Sequence, residues 1–346
     1  MRCFKLFNLI FILIFFNPSY ASNYVTVGLN SSVTYISSGV NQGNFAEVHT
    51  DVDNNFWLSL IKADYDSFNV LSIKSVNANL IEGSSFSIVY LPSGQYQGDL
   101  AIAYGCDTGQ IDSLCIGIID MNANMVKQYQ FGYGDQASIT YISNGDYQGS
   151  LAIVSGFGAD GTVGALSFYI VSQNDIANNI AVSPVNSGYV QGNTPSIAYI
   201  SNGPFKGNFA EVHIGSDGGP NINFGVLQPD GSYIIKPKTI DTGVLSLSSL
   251  VYIEDGSEKG YVAQVHESQG FDTGTYLDLI ELIKGNTTEQ NDATLAQSIF
   301  YGHGNSPSVT YISTGNLKGS LAEVHVSDGP HFISNIDIWF DLISLD

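Results

Sequence analysis

Arginine is almost missing from this sequence: of 346 residues one is Arg, Arg2, and 11 basic residues face 32 Asp and Glu, for a formal net charge of −21 and a pI near 4.2. Nucleic acids and anionic membrane surfaces are held by clusters of Arg and Lys that neutralise phosphate, and no such cluster can be assembled here. Both partner classes are excluded. Solubility, cation binding or attraction to a basic partner stay open to so acidic a chain. Long apolar runs are missing too, with one exception at the start. Residues 6–16 are predominantly apolar, Arg2 and Lys5 precede them, and small residues lead to Ala21. Such a run is too short to span a bilayer comfortably and has the parts of a signal peptide, 1–21, cut after Ala21. The expected mature chain, 22–346, is a single domain, secreted or periplasmic, without membrane insertion, and two positive charges poorer at −23.

Cysteine is scarce as well. Cys3 leaves with the leader, and the remaining pair, Cys106 and Cys115, reads as a disulfide in an exported chain. It would staple a hairpin across the turn-like stretch 107–110, provided strand pairing brings the two residues within reach. Only two tryptophans occur, Trp57 and Trp339, and no stretch has a helical period of useful length.

What is abundant is a repeat. Six copies are anchored by Tyr35, Tyr90, Tyr141, Tyr199, Tyr252 and Tyr311. Three residues before each tyrosine stands a serine: Ser32, Ser87, Ser138, Ser196, Ser249 and Ser308. Four and eight residues after it stand glycines, and eleven after it an alanine, without exception. Each copy is rich in β-branched and aromatic residues broken by turn chemistry. In the fourth, strands are expected at 196–200, 208–214, 221–228 and 233–240. Four antiparallel strands in about 55 residues is the size of a propeller blade.

The ends of the chain agree with closure. Copy six has no fourth strand before Asp346, and residues 23–30 offer a spare one. Pairing it with the last blade would cover a long sheet edge. The fold expected is therefore all-β, a six-bladed β-propeller with four strands per blade, closed by its N-terminal strand. Its repeats are about 32–83, 84–134, 135–192, 193–246, 247–304, and 305–346 plus 23–30. The run Asn305-Ser306-Pro307-Ser308-Val309, followed by Ala322-Glu323-Val324-His325, resembles blades of bacterial exported β-propeller repeat proteins with a P-S-V … V-E-V-H pattern. That resemblance implies the same fold and brings no activity with it.

Two columns are chemically distinctive. Twelve and fourteen residues after the tyrosine lie Glu47 and His49, Glu211 and His213, Gln264 and His266, Glu323 and His325, whereas copies two and three hold Ile102 with Tyr104 and Ile153 with Ser155. The acid or amide disappears wherever histidine does. Residues two apart on a strand share a face, so a hydrogen bond or a shared partner would couple them. Such pairs can specify packing between blades, bind a metal, or serve as acid and base. The recurring serines and tyrosines, by contrast, fit backbone satisfaction, because no G-x-S-x-G elbow or unique nucleophile accompanies them.

Loops after the second strand are acidic and glycine-rich, at Asp51, 107–112, Asp160, Asp217, Asp272 and Asp328. Asp51, Asp53 and Asn55 have the spacing that opens a calcium loop but lack its glycine and closing glutamate; calcium is the one cofactor to consider. The loops after the first strand carry Gln42, Gln97, Gln148, Lys206, Lys259 and Lys318, with Tyr96, Tyr147 and Phe205 beside them. Aromatic rings beside amides have the composition of a sugar-binding surface. Six-bladed fucose lectins combine Arg, Glu and Trp in their sites, a set this mature chain cannot assemble. These readings converge on a secreted binding module, lectin-like in kind, recognising extracellular glycan or a protein surface through repeated blades. The alternatives are an extracellular hydrolase or lyase using Glu and His near the propeller centre, and a structural envelope-associated protein.

Overall fold

The computed structural model describes residues 20–51, 53–64, 66–76, 85–106, 113–156, 164–215, 222–240, 244–268, 274–302, 304–328 and 336–345. Residues 1–19 of the expected signal peptide 1–21, and the acidic loops at 107–112, Asp160, Asp217 and Asp272, lie outside the described residues. The chain is all-β, built of antiparallel sheets. Strand β1 (Tyr20–Val27) precedes the first copy, which folds as β2 (Ser31–Tyr35), β3 (Phe45–Thr50), β4 (Phe56–Asp64) and β5 (Ser67–Val76) in sheet order. Copy two forms β6 (Phe86–Tyr90), β7 (Leu100–Cys106), β8 (Ser113–Ile119) and β9 (Met125–Tyr133). Cys106 and Cys115 are joined across β7 and β8, with Cα atoms 5.8 Å apart, as the spacing predicts.

Copies three and four share one seven-stranded sheet: β10 (Gln136–Tyr141), β11 (Leu151–Gly156), β12 (Gly164–Val171), β13 (Asn186–Tyr199), β14 (Phe209–Gly215), β15 (Ile222–Leu227) and β16 (Tyr233–Ile240). The long β13 pairs with β12 through its first half and with β14 through its second. Copy five is β17 (Val244–Tyr252), β18 (Tyr261–Ser268), β19 (Gly274–Ile283) and β20 (Asp292–Gly302). Copy six supplies β21 (Asn305–Tyr311), β22 (Leu321–Asp328) and β23 (Ile336–Ile343), and β1 completes its sheet by pairing antiparallel with β23, Tyr24 opposite Trp339. The closing strand thus starts three residues earlier than the 23–30 read from the sequence.

The repeated columns explain themselves in this frame. Glycines four and eight after each tyrosine have φ between 74° and 98°, a region open to glycine and costly for other residues. The alanines are wholly buried in all six copies, so a larger side chain there would overpack. Serine Oγ atoms accept the backbone N–H of the next copy: Ser32 from Ile88, Ser138 from Ile197, Ser196 from Leu250, Ser249 from Val309, and Ser308 from Val33. Tyrosine hydroxyls reach the other way. Tyr90 donates to Ser38 O, Tyr199 to Asn144 O, Tyr252 to Asn202 O, Tyr311 to Asp255 O, and Tyr35 to Thr314 O. Tyr141 meets Ser93 Oγ at 2.6 Å.

These bonds run from copy to copy and return from the sixth to the first. The first strands β2, β6, β10, β13, β17 and β21 lie side by side in sequence, and β21 lies against β2. The core is correspondingly divided into clusters between sheets: Phe56 packs with Phe86 and Tyr104 from the second copy, and Phe45 with Phe340 from the sixth. One element escaped the sequence reading. A six-residue helix, α1 (Gln173–Asn178), follows β12, capped by Ser172 in a reciprocal box with Asp175. It is too short to leave a periodic signal.

Candidate functional site

The Glu and His columns fall on the second strand of their copies, facing the preceding sheet, and all eight side chains are buried. His49 Nδ1 lies 3.0 Å from Glu47 Oε2, His213 Nδ1 2.9 Å from Glu211 Oε1, and His325 Nδ1 2.9 Å from Glu323 Oε2. The direct hydrogen bond expected from their coupling exists in these three copies. Copy five departs from it: His266 turns its Nε2 to Asp278 Oδ2 at 3.0 Å, and its ring stacks on Tyr276. Gln264 has no hydrogen bond to it.

Glycine makes room for the rings, a signal present in the sequence and not used. A Cβ on Gly28 would come within 2.9 Å of His49 Cδ2, on Gly192 within 2.5 Å of His213 Cδ2, and on Gly304 within 2.3 Å of His325 Cδ2. Each glycine precedes the column serine by four residues, where copy five has Leu245. Glu211 gains a second donor, the Tyr233 hydroxyl at 2.9 Å, whose ring fills the space over Gly225. Burial opposes protonation of His213, but the adjoining Glu211 carboxylate outweighs it and raises the imidazole pKa. The same balance raises His325. Burial pushes Glu323 up to about 7, with Asp341 adding to the shift.

None of these eight residues lines the axial cavity. That space, about 340 Å³, is walled by the serine-to-tyrosine segments of all six copies. Ser37, Ser143, Ser313 and Pro92 surround it two residues beyond the tyrosines, and Glu254 is the charged side chain among its lining residues. A second, smaller cavity of about 70 Å³ continues on the other side, and the six column serines line both. The serine ring is therefore the neck between them. The rival expectation of Glu and His near the centre is corrected here: the first strands wall the cavity, and these side chains sit on the second strand, buried between sheets.

Asp51 Oδ1 accepts the backbone N–H groups of Asp53 and Asn55, both at 2.9 Å, and Oδ2 accepts Trp57 Nε1 at 2.9 Å. Burial would raise this carboxyl, but donors from Asn55, Trp57 and the backbone hold it at about 2. The carboxylate that would open a calcium loop thus folds the loop and positions Trp57 beside Asn124 and Met125, in a cleft between copies one and two. Gln42, Gln97, Gln148, Lys206, Lys259 and Lys318 are all exposed. Their aromatic neighbours are not alike: Tyr147 is 46% exposed, Phe205 is 2% exposed in the core, and the Tyr96 N–H is tied to Gln173 Oε1 of α1. The three rings do not make one surface, because Phe205 faces inward.

No protein-family model matches the chain, and no curated protein matches it in sequence. Its fold is similar to several solved structures. A mutant of the α-L-arabinofuranosidase Arb93A from Fusarium graminearum, in complex with an iminosugar inhibitor, aligns with TM-score 0.56 and 12% identity over 92% of this chain and 94% of that one. The fucose-specific lectin from Aleuria aurantia aligns with TM-score 0.57 and 10% identity over 92% and 98%. The PQQ-bound aldose sugar dehydrogenase from Streptomyces coelicolor gives 0.53 and 14% over 94% and 98%. At such identities the likeness concerns the fold, a propeller-like arrangement of antiparallel sheets shared by binding proteins and enzymes alike.

Proposed function

We propose that the protein is a secreted six-bladed β-propeller, its last blade completed by β1, that binds a hydroxyl-rich ligand of the glycan class in the axial cavity. Its blades would be of the kind in bacterial exported propeller repeats. One observation carries the reading: hydroxyl-bearing segments of all six copies and one carboxylate, Glu254, converge on 340 Å³ of space, while every Glu–His pair is sealed between sheets. A volume near the lower end of the ~300–1,000 Å³ range of small-molecule sites suits a short saccharide. Glu254 has no second carboxylate among the residues lining that cavity, and glycoside hydrolysis ordinarily needs a pair flanking the bond. This favours binding over catalysis. The lectin and the sugar-acting enzymes of similar fold support the ligand class.

A glycan array probed with the mature protein, with and without calcium, tests the reading. Binding of at least one glycan, weakened in titration calorimetry by Glu254→Gln, is expected. A hydrogen bond to a charged group contributes about 1.5–3 kcal/mol, or roughly 10- to 100-fold in affinity. A blank array in both conditions would overturn the proposal.

A further inference from the structure

Of the four Glu or Gln–His copies, the sixth alone has carboxylates on both strands around its histidine. Glu323 and His325 share a face of β22, and Asp341 on β23 lies directly opposite Glu323. The corresponding position opposite Glu47 is Ser59, and opposite Glu211 it is Gly225. Copy five has the aspartate, Asp278, but an amide, Gln264, in place of the acid. Among the described residues, copy six is where two carboxylates and an imidazole meet. One ligand atom from each lies within 4.8 Å of the other two, with His325 Nδ1 2.9 Å from Glu323 Oε2 and 3.7 Å from Asp341 Oδ2. All three residues are at most 4% exposed.

One feature separates this cluster from the plain hydrogen-bonded pairs of copies one and four. Glu323 Oε1 is buried with no donor in bonding geometry, although the Tyr301 hydroxyl of β20 is close enough to favour its ionised form. A buried carboxylate oxygen without a donor, beside an imidazole and a second carboxylate, is poorly compensated. A metal ion seated among the three would supply what Glu323 Oε1 lacks.

We propose that Glu323, His325 and Asp341 form a site for a first-row divalent metal ion, with zinc the best fit. Carboxylate oxygen and imidazole nitrogen are both zinc ligands, whereas calcium favours six to eight oxygens and takes no imidazole. Ligand atoms about 2.0–2.1 Å from a tetrahedral zinc lie about 3.3 Å apart, between the 2.9 and 3.7 Å already present. Shifts of a few tenths of an ångström would complete the site. The proton on His325 Nδ1 must leave as the metal enters, so uptake releases it to solvent. Bound there, the ion would lock β22 to β23, and through β23 the closing strand β1.

The test uses the whole mature protein, stripped with chelator and titrated with zinc chloride. One equivalent retained after gel filtration, measured by mass spectrometry of the metal, is expected, with a zinc-dependent rise in melting temperature. Asp341→Ser copies the arrangement around Ser59 and should fold, as read by circular dichroism, while losing the equivalent and the thermal shift. Should it fail to fold, Glu323→Gln, which copies Gln264, takes its place. Wild type that retains no zinc, or a folded variant that retains as much as wild type, would overturn the proposal. Neither result bears on Glu254 or on glycan binding, so the two proposals fail separately.

Discussion

Replacing His213 with alanine isolates what a buried Glu–His pair does. The substitution leaves Glu211, fully buried, with the Tyr233 hydroxyl as its remaining described donor, and empties the space that Gly192 keeps open. Breaking a buried charge pair by removing one partner costs about 3–5 kcal/mol. In a domain of this size a kcal/mol moves the melting temperature by about 2 °C, so a fall of roughly 6–10 °C is expected. The double variant Glu211→Ile with His213→Ser installs the residues that copy three uses, Ile153 and Ser155. Removing both partners leaves no stranded carboxylate, and stability should recover most of the loss, the remainder coming from the smaller side chain over Gly192 and the Tyr233 hydroxyl that loses Glu211. Differential scanning calorimetry on the three proteins provides the numbers. A His213→Ala protein that melts with wild type, or a double variant no better than the single one, would refute the structural role; loss of glycan binding at unchanged melting temperature would give the pair a functional one.

Deleting residues 22–27 from the mature chain exposes the edge of β23 and removes buried Val25 and the Tyr24–Trp339 contact; a fall in melting temperature of more than 10 °C is expected in a thermal scan. In chelator, stability should decline as pH rises. Glu323 titrates near 7 folded against an ordinary 4.5, and His325 is raised too. Their contribution is thus present below pH 4.5 and lost as pH passes 7, on the order of 3 kcal/mol for Glu323. Urea unfolding across pH 4.5–8 checks this, and Asp341→Asn should shallow the decline. Replacing Cys106 and Cys115 with serine should cost about 2.5 kcal/mol, the loop-closure contribution for nine residues.

Much of the fold was legible because the repeat constrains it. Invariant columns at Ser196, Tyr199, Gly203, Gly207 and Ala210 fix register, turn and packing at once, so the first three strands read from one copy recur in all six. The spare strand at the N-terminus followed from counting. What stayed hidden depends on contacts between copies or across a sheet. Asp278 lies twelve residues from His266, and only the pairing of β18 with β19 brings them together. Asp341 joins Glu323 for the same reason. Phe205, Tyr96 and Tyr147 occupy one column yet differ in exposure, because neighbouring sheets and α1 decide what covers each loop. Glu254 is one acid among 32 in the sequence; its place in the cavity wall depends on how the copies pack together.

The most direct test of the account is a crystal structure of the mature protein with a glycan from the array bound. Density on the axis above the serine ring, with a sugar hydroxyl within hydrogen-bond distance of a Glu254 carboxylate oxygen, is the predicted result. Density confined to the cleft at Trp57, or to any other surface with the axial cavity holding solvent alone, would contradict it.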